Sequence, residues 1–134
     1  MKKSQLKLRV RYGETDQMGV VYYGEYAQYL EQGRTEWLRE LGITYKYMEE
    51  HDVHLPVIDL QISYKYPAKY DDLINITTTL LKKPSKKIEF YYEIHNQEGK
   101  LLVTATTSLV FVDSISKKII SAPDYFLEKL AGSF

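Results

Sequence analysis

Between Tyr22 and Leu41, apolar side chains recur at spacings of three and four: Tyr22, Tyr26, Tyr29, Leu30, Gly33, Trp37 and Leu41. Such a stripe specifies a helix with one buried face. At ~1.5 Å per residue it would run about 30 Å. Gly42 stands where a C-terminal glycine belongs. A glycine inside the stripe, Gly33, costs roughly 1 kcal/mol of helix propensity. Its place on the apolar face predicts close approach of other backbone. A helix this long and this aromatic needs a broad apolar surface to cover it, and the rest of the chain must supply one.

The remaining segments read as strands. Leu6, Leu8, Val10 and Tyr12 alternate with Lys7, Arg9 and Arg11, which predicts a strand ending near Tyr12. Residues 44 to 51 suggest a short second helix. After Pro56, Ile58, Leu60, Ile62, Tyr64 and Tyr66 share one face of a strand; Asp59, Gln61, Ser63 and Lys65 share the other. Pro67 and Asp71-Asp72 break that run. Two further alternating strands follow, Ile74 to Leu80 and Ile88 to Ile94. They are separated by the lysine-rich turn Lys82-Lys-Pro-Ser-Lys-Lys87. Asn96-Gln-Glu-Gly99 is a hairpin turn. Leu101 to Val112 is apolar or Thr on both faces, the mark of a central strand. A short strand at Ile119-Ile120 and a terminal helix from Pro123 to Leu130 complete the chain. One long helix against one antiparallel sheet is an α+β arrangement. At 134 residues a single domain over 1–134 is expected.

Composition narrows the function. Eighteen basic and eighteen acidic residues balance, so no electrostatic footprint for nucleic acid is present. Cysteine is absent, which removes disulfides, thiolate catalysis and Cys-ligated metals and fits a reducing cytoplasm. The first residues carry charge but no apolar core, so no secretory signal is expected. No apolar run is long enough to span a bilayer. His51, His54 and His95 lack metal-site spacing, so no metal or other cofactor is expected. Thirteen tyrosines against one Trp and four Phe predict rings buried at an interface or cleft rim, with hydroxyls wet or paired.

The stretch ahead of the helix, Tyr12-Gly-Glu-Thr-Asp16-Gln-Met-Gly19-Val-Val-Tyr22-Tyr23-Gly-Glu-Tyr26, concentrates the chemistry. An acidic loop precedes a helix start, whose free N–H groups and dipole favour an anion or a polarised oxygen. A carboxylate on one side of a carbonyl and N–H donors on the other make a hydrolytic site. Read alone, Asp16 is a turn or capping residue, Glu14 a solvated acid, and Glu31 and Arg34 a helix-surface pair.

The pattern Tyr12-x-Glu14-Thr15-Asp16-x-x-Gly19-Val20-Val21-Tyr22, followed by Tyr26, Glu31, Arg34 and Glu36, resembles the hotdog-fold acyl-CoA thioesterases of the 4-hydroxybenzoyl-CoA thioesterase superfamily. The bacterial branch associated with the Tol–Pal genes is the nearest match. The resemblance covers about the first third of the chain tightly, and beyond that the strand layout and the bend Pro67-Ala-x-Tyr-Asp-Asp72. It implies a sheet wrapped around the long helix and a homodimer or homotetramer with the ligand at the interface between copies. It also implies Asp16 as nucleophile or general base, and the backbone N–H of Tyr23 as the donor that polarises the thioester carbonyl. Gly19, Val20, Val21 and Tyr26 would shape the acyl site. Ser63 would line the thioester channel from a partner, and Lys86 would contact coenzyme A phosphates. Tyr23 stands where many members of that branch carry His, which puts any imidazole-dependent mechanism in doubt. A hotdog dehydratase would need a His that neither the acidic loop nor the helix supplies. A non-catalytic acyl-CoA binding or assembly module of the same fold is the alternative to an enzyme.

Overall fold

The computed structural model describes residues 2–134. In chain order the elements are β1 (Lys2–Arg9), α1 (Tyr26–Leu41), α2 (Tyr45–Glu50), β2 (Val53–His54), β3 (Val57–Tyr64), β4 (Leu73–Leu80), β5 (Lys87–His95), β6 (Leu101–Asp113), β7 (Ile119–Ile120) and α3 (Asp124–Lys129). Two single 3₁₀ turns, Tyr12–Glu14 and Tyr23–Glu25, flank the acidic loop. The principal sheet runs β1-β4-β5-β6-β3, antiparallel throughout, with β2 and β7 paired to the far end of β6.

α1 lies across the inner face of this sheet. Tyr26, Tyr29, Leu30, Gly33, Trp37, Leu38 and Leu41 are buried against Ile74, Ile76, Phe90, Tyr92, Ile94 and their neighbours. The Trp37 ring meets Phe90 edge-on at 4.9 Å, and its Nε1–H donates to the Lys2 carbonyl at 3.1 Å, tying the helix to β1. Gly42 closes the helix with φ +92°, and Ile43 N–H reaches the Leu38 carbonyl. The long strand β6 is central, as its two apolar faces predicted.

Gly33 is a close contact, as its position in the stripe predicted, but with side chains of the sheet rather than with backbone. A Cβ there would stand 2.6 Å from Thr78 Oγ1 and 2.9 Å from Ile76 Cγ2. Both neighbours are β-branched strand residues with little rotamer freedom. Gly33→Ala should therefore destabilise the fold by about 1–2 kcal/mol, overpacking outweighing the helix-propensity gain of roughly 1 kcal/mol. Urea unfolding midpoints test this.

Three expectations need correction. α1 begins at Tyr26; Tyr22 stands ahead of it as an exposed residue in extended conformation. β1 ends at Arg9. The alternation through Tyr12 fails because the chain turns into a 3₁₀ helix there, leaving the Tyr12 ring 79% exposed. Finally, this chain covers the apolar face of β3 only in part: Ile62 packs against the core and Tyr64 against Tyr26. Ile58, Leu60 and Tyr64 remain 55%, 42% and 50% exposed, and β3 is an edge strand paired only with β6.

Candidate active site

The acidic loop is a small, heavily bonded structure. Thr15 pairs with Val21 and Val20 with Lys69 as antiparallel bridges. Asp16 N–H donates to the Val20 carbonyl at 2.8 Å, and Gly19 N–H returns to the Asp16 carbonyl at 3.0 Å. Gly19 takes φ +79° to close this turn, a conformation that suits glycine. One carboxylate oxygen of Asp16, Oδ1, accepts the Met18 N–H at 2.8 Å; the side chain is half-buried. Asp16 thus does make an Asx turn, and that bond uses only one of its two oxygens.

The loop is docked from both sides. Val21 N–H donates to the Ala68 carbonyl at 2.9 Å, and Ala68 N–H donates to the Tyr26 hydroxyl at 3.1 Å. The bend after β3 therefore clamps the loop to the first turn of α1. On the other side stands Glu14, read from sequence as a solvated acid. It is 7% exposed. Its Oε1 accepts the Tyr29 hydroxyl at 2.8 Å and the Arg11 N–H at 2.9 Å, and its Oε2 accepts Arg11 Nε at 3.0 Å. Burial pushes its pKa up, but the Arg11 N–H, the Tyr29 hydroxyl and the Arg11 guanidinium together hold it below its ordinary value. Burial and the Glu14 carboxylate both raise Tyr29, so its hydroxyl stays protonated as a donor. The Glu14 carbonyl accepts Tyr22 N–H at 2.9 Å. Glu14 thereby ties the end of β1, the loop and α1 together.

The next peptides are the donors. Glu25 N–H bonds the Tyr22 carbonyl and Tyr26 N–H bonds the Tyr23 carbonyl. Among the described residues, the N–H groups of Tyr23 and Gly24 have no acceptor within the chain. Tyr23 lines a cleft of about 200 Å³ with Val21, Tyr26, Tyr64, Tyr66 and Pro67, and Gly24 is the next residue of the same turn. Tyr64 comes from the exposed face of β3; its ring packs edge-on to Tyr26 at 5.3 Å, and its hydroxyl donates to the Tyr23 carbonyl at 3.2 Å.

The structure thus brings Val21, Tyr23 and Tyr26 together, with Asp16, Gly19 and Val20 in the adjoining turn. It does not bring in Ser63 or Lys86 from the same chain. Ser63 alternates with Tyr64 and lies on the opposite sheet face, beside Gln61, Tyr91, Thr104 and Thr106. Lys86 precedes β5 at the end where Lys87 pairs with Val110, whereas the cleft lies at the end where Tyr64 pairs with Val103. The intervening strand spans roughly 23 Å at ~3.3 Å per residue. The expected Glu31–Arg34 pair is also absent among the described ion pairs. Arg34 is buried, donating to the Tyr92 hydroxyl at 3.2 Å and the Tyr45 hydroxyl at 3.4 Å, while Glu36 pairs with Arg39 at 2.7 Å. Reading the sequence alone missed Glu14, Tyr29 and Tyr64 as site-building residues. The one available signal was the excess of tyrosine, which predicted paired hydroxyls at a cleft rim.

A sheet wrapped on one long helix, with an acidic turn at the helix start, defines the hotdog fold of the thioester hydrolases. Residues 10–130 match the thioesterase-like superfamily, and the chain belongs to that family. It is 40% identical over 120 residues to YneP of Bacillus subtilis, covering 90% of this chain and 87% of that protein. It is 32% identical over 116 residues to the acyl-CoA thioester hydrolase YbgC of Escherichia coli, covering 87% of each. Among solved structures, the DHNA-CoA thioesterase of Staphylococcus aureus superposes with a TM-score of 0.89 at 34% identity, over 96% of this chain and 86% of that one.

Proposed function

We propose that this chain is an acyl-CoA thioesterase, one catalytic domain that hydrolyses the thioester to a free acid and coenzyme A. The observation that carries the reading is the short bonded path from Asp16, through the Val20 carbonyl it binds, to the unpaired N–H groups at Tyr23 and Gly24. A thioester carbonyl seated in the cleft accepts from Tyr23 N–H, which stabilises the oxyanion as it forms. The free oxygen of Asp16 attacks the carbonyl carbon, giving an anhydride that water then opens, or draws a proton from a water that attacks directly. In either course the C–S bond breaks and coenzyme A leaves as the thiol. One turnover in H₂¹⁸O that leaves label in Asp16 establishes the anhydride course. Label enters Asp16 only if the anhydride forms and water opens it at the protein carboxyl.

The acyl-CoA thioesterases among the relatives support an acyl-CoA substrate. The motif from Glu14 to Tyr22 supports the Tol–Pal-associated branch, from which Tyr23 departs. Cytoplasmic residence is part of the proposal, supported by the absence of cysteine.

The partly uncovered face of β3 supports a homodimer. A second copy added antiparallel along this free edge would cover Ile58, Leu60 and Tyr64 and satisfy the edge. Two-fold pairing about the middle of β3 sets the Val57 end of one copy beside the Tyr64 end of the other. Lys86 and its neighbouring lysines would then approach the partner's cleft and hold coenzyme A phosphates, and Ser63 would sit at the junction of the two copies. Leu60→Lys, which puts a charge on the edge, should give a monomer by sedimentation and lose most turnover. Reversing charge at Lys86 and Lys87 together should raise KM for acyl-CoA by about three- to tenfold, yet leave KM for the matching acyl-pantetheine unchanged. Retained affinity with no thiol release would identify a binding module instead.

A further inference from the structure

The 3₁₀ turn at Tyr23–Glu25 presents two adjacent peptide N–H groups, and one side chain outside it bears on the second. The Tyr23 N–H belongs to the peptide whose carbonyl, on Tyr22, accepts Glu25 N–H at 2.9 Å. The Gly24 N–H belongs to the peptide whose carbonyl, on Tyr23, accepts twice: from Tyr26 N–H within the turn and from the Tyr64 hydroxyl across the cleft at 3.2 Å. Accepting hydrogen bonds at a carbonyl polarises the N–H of the same peptide. The more strongly polarised donor is therefore Gly24, not Tyr23. The second bond also fixes the plane of that peptide against strand β3, so its N–H direction is set by the sheet as well as by the helix. Burial, and after it the nearby Tyr23, raise the pKa of the Tyr64 hydroxyl, which keeps it a donor. The residue at 24 carries no side chain; a Cβ would meet the Tyr22 ring at 2.8 Å.

We propose that Gly24 N–H is a second donor to the developing oxyanion, and that Tyr64 is the positioning residue that polarises and aims it. This rests on the thioesterase reading above and adds to it a donor and a side chain.

The test is a double-mutant cycle. Tyr64→Phe removes only the hydroxyl and should lower kcat about tenfold, with KM and the unfolding midpoint near wild type. Gly24→Pro removes the N–H at the second position of the turn and should lower kcat by about 10²-fold or more. Gly24→Ala, which keeps the N–H and needs only the exposed Tyr22 ring to shift, controls for the added side chain. In the Gly24→Pro background, Tyr64→Phe should have no further effect on kcat. Full additivity of the two changes, or a Tyr64→Phe effect confined to KM, overturns the proposal. A readout independent of turnover is the Gly24 amide proton resonance. It should move upfield in Tyr64→Phe by more than the Tyr23 amide does; an unchanged Gly24 resonance refutes the polarisation even if the wild type hydrolyses no thioester. Loss of all thiol release by the wild type, with that resonance shift intact, would sink the thioesterase reading and leave the Tyr64–Gly24 coupling standing.

Discussion

Asp16→Asn should lower kcat for acyl-CoA hydrolysis by about 10²–10⁴-fold, the range a positioned acid–base group commands, and by more if the carboxylate is the nucleophile. KM should change little. Asparagine is the informative substitution because the turn uses only one oxygen of Asp16, the Oδ1 that accepts Met18 N–H at 2.8 Å. An amide carbonyl accepts that bond equally well, so the loop should keep its shape while the charge and the free carboxylate oxygen are lost. Stopped-flow thiol release, with the unfolding midpoint measured on the same preparation, checks both halves. A variant within threefold of wild type would remove Asp16 from the chemistry and leave the Asx turn as its whole role.

The second large effect is on Glu14. Glu14→Ala deletes the acceptor of the buried Tyr29 hydroxyl and of Arg11 N–H. A buried donor left without a partner costs about 1–3 kcal/mol, so the total loss should be about 2–3 kcal/mol. Activity should fall as well, because residue 14, no longer held by Tyr29 and Arg11, shifts the backbone carbonyl that accepts Tyr22 N–H at the entry to the donor turn. Glu14 also gives stability a pH dependence. Its folded pKa lies below the ordinary 4.5. Its ionisation therefore stabilises the fold fully above the unfolded value, and that contribution disappears as pH falls through the lower folded value. Glu14→Gln should flatten the acid limb of the unfolding midpoint below about pH 4.5 and leave the neutral region less affected. An unchanged acid limb would show that the carboxylate carries no differential charge interaction.

The parts of this molecule legible in the sequence were those set by local periodicity. The stripe read from Tyr22 to Leu41 gave the helix, four residues early at its start, Gly42 its end, and Gly33 a close approach to the sheet. The apolar run from Leu101 to Val112 gave the central strand. What escaped depended on tertiary partners. Glu14 sits in a loop with no period, and nothing local announces that the Tyr29 hydroxyl, fifteen residues on, will bury it. Arg34 is spaced to pair with Glu31, but the sheet offers it Tyr92 and the second helix offers Tyr45, and those fixed hydroxyls win over an exposed flexible acid. The alternation of β3 marks an apolar face without saying which chain covers it. That Lys86 lies at the far end of the sheet from its own chain's cleft was not legible either, because sequence carries no measure of distance along the sheet. In the site itself, Asp16 and the Val20-Val21-Tyr22 run were visible as a motif; Tyr64 was not, because its contribution is one hydroxyl laid on a backbone carbonyl across the cleft.

Thiol release from a panel of coenzyme A thioesters, spanning short, medium and long aliphatic, branched and aromatic acyl groups, is the most direct measurement. Wild-type protein should turn over at least one class well above the uncatalysed rate, and Asp16→Asn should abolish that turnover without abolishing binding. Tight binding across the panel with no thiol released by the wild type would contradict the hydrolase and leave a binding module on the same fold.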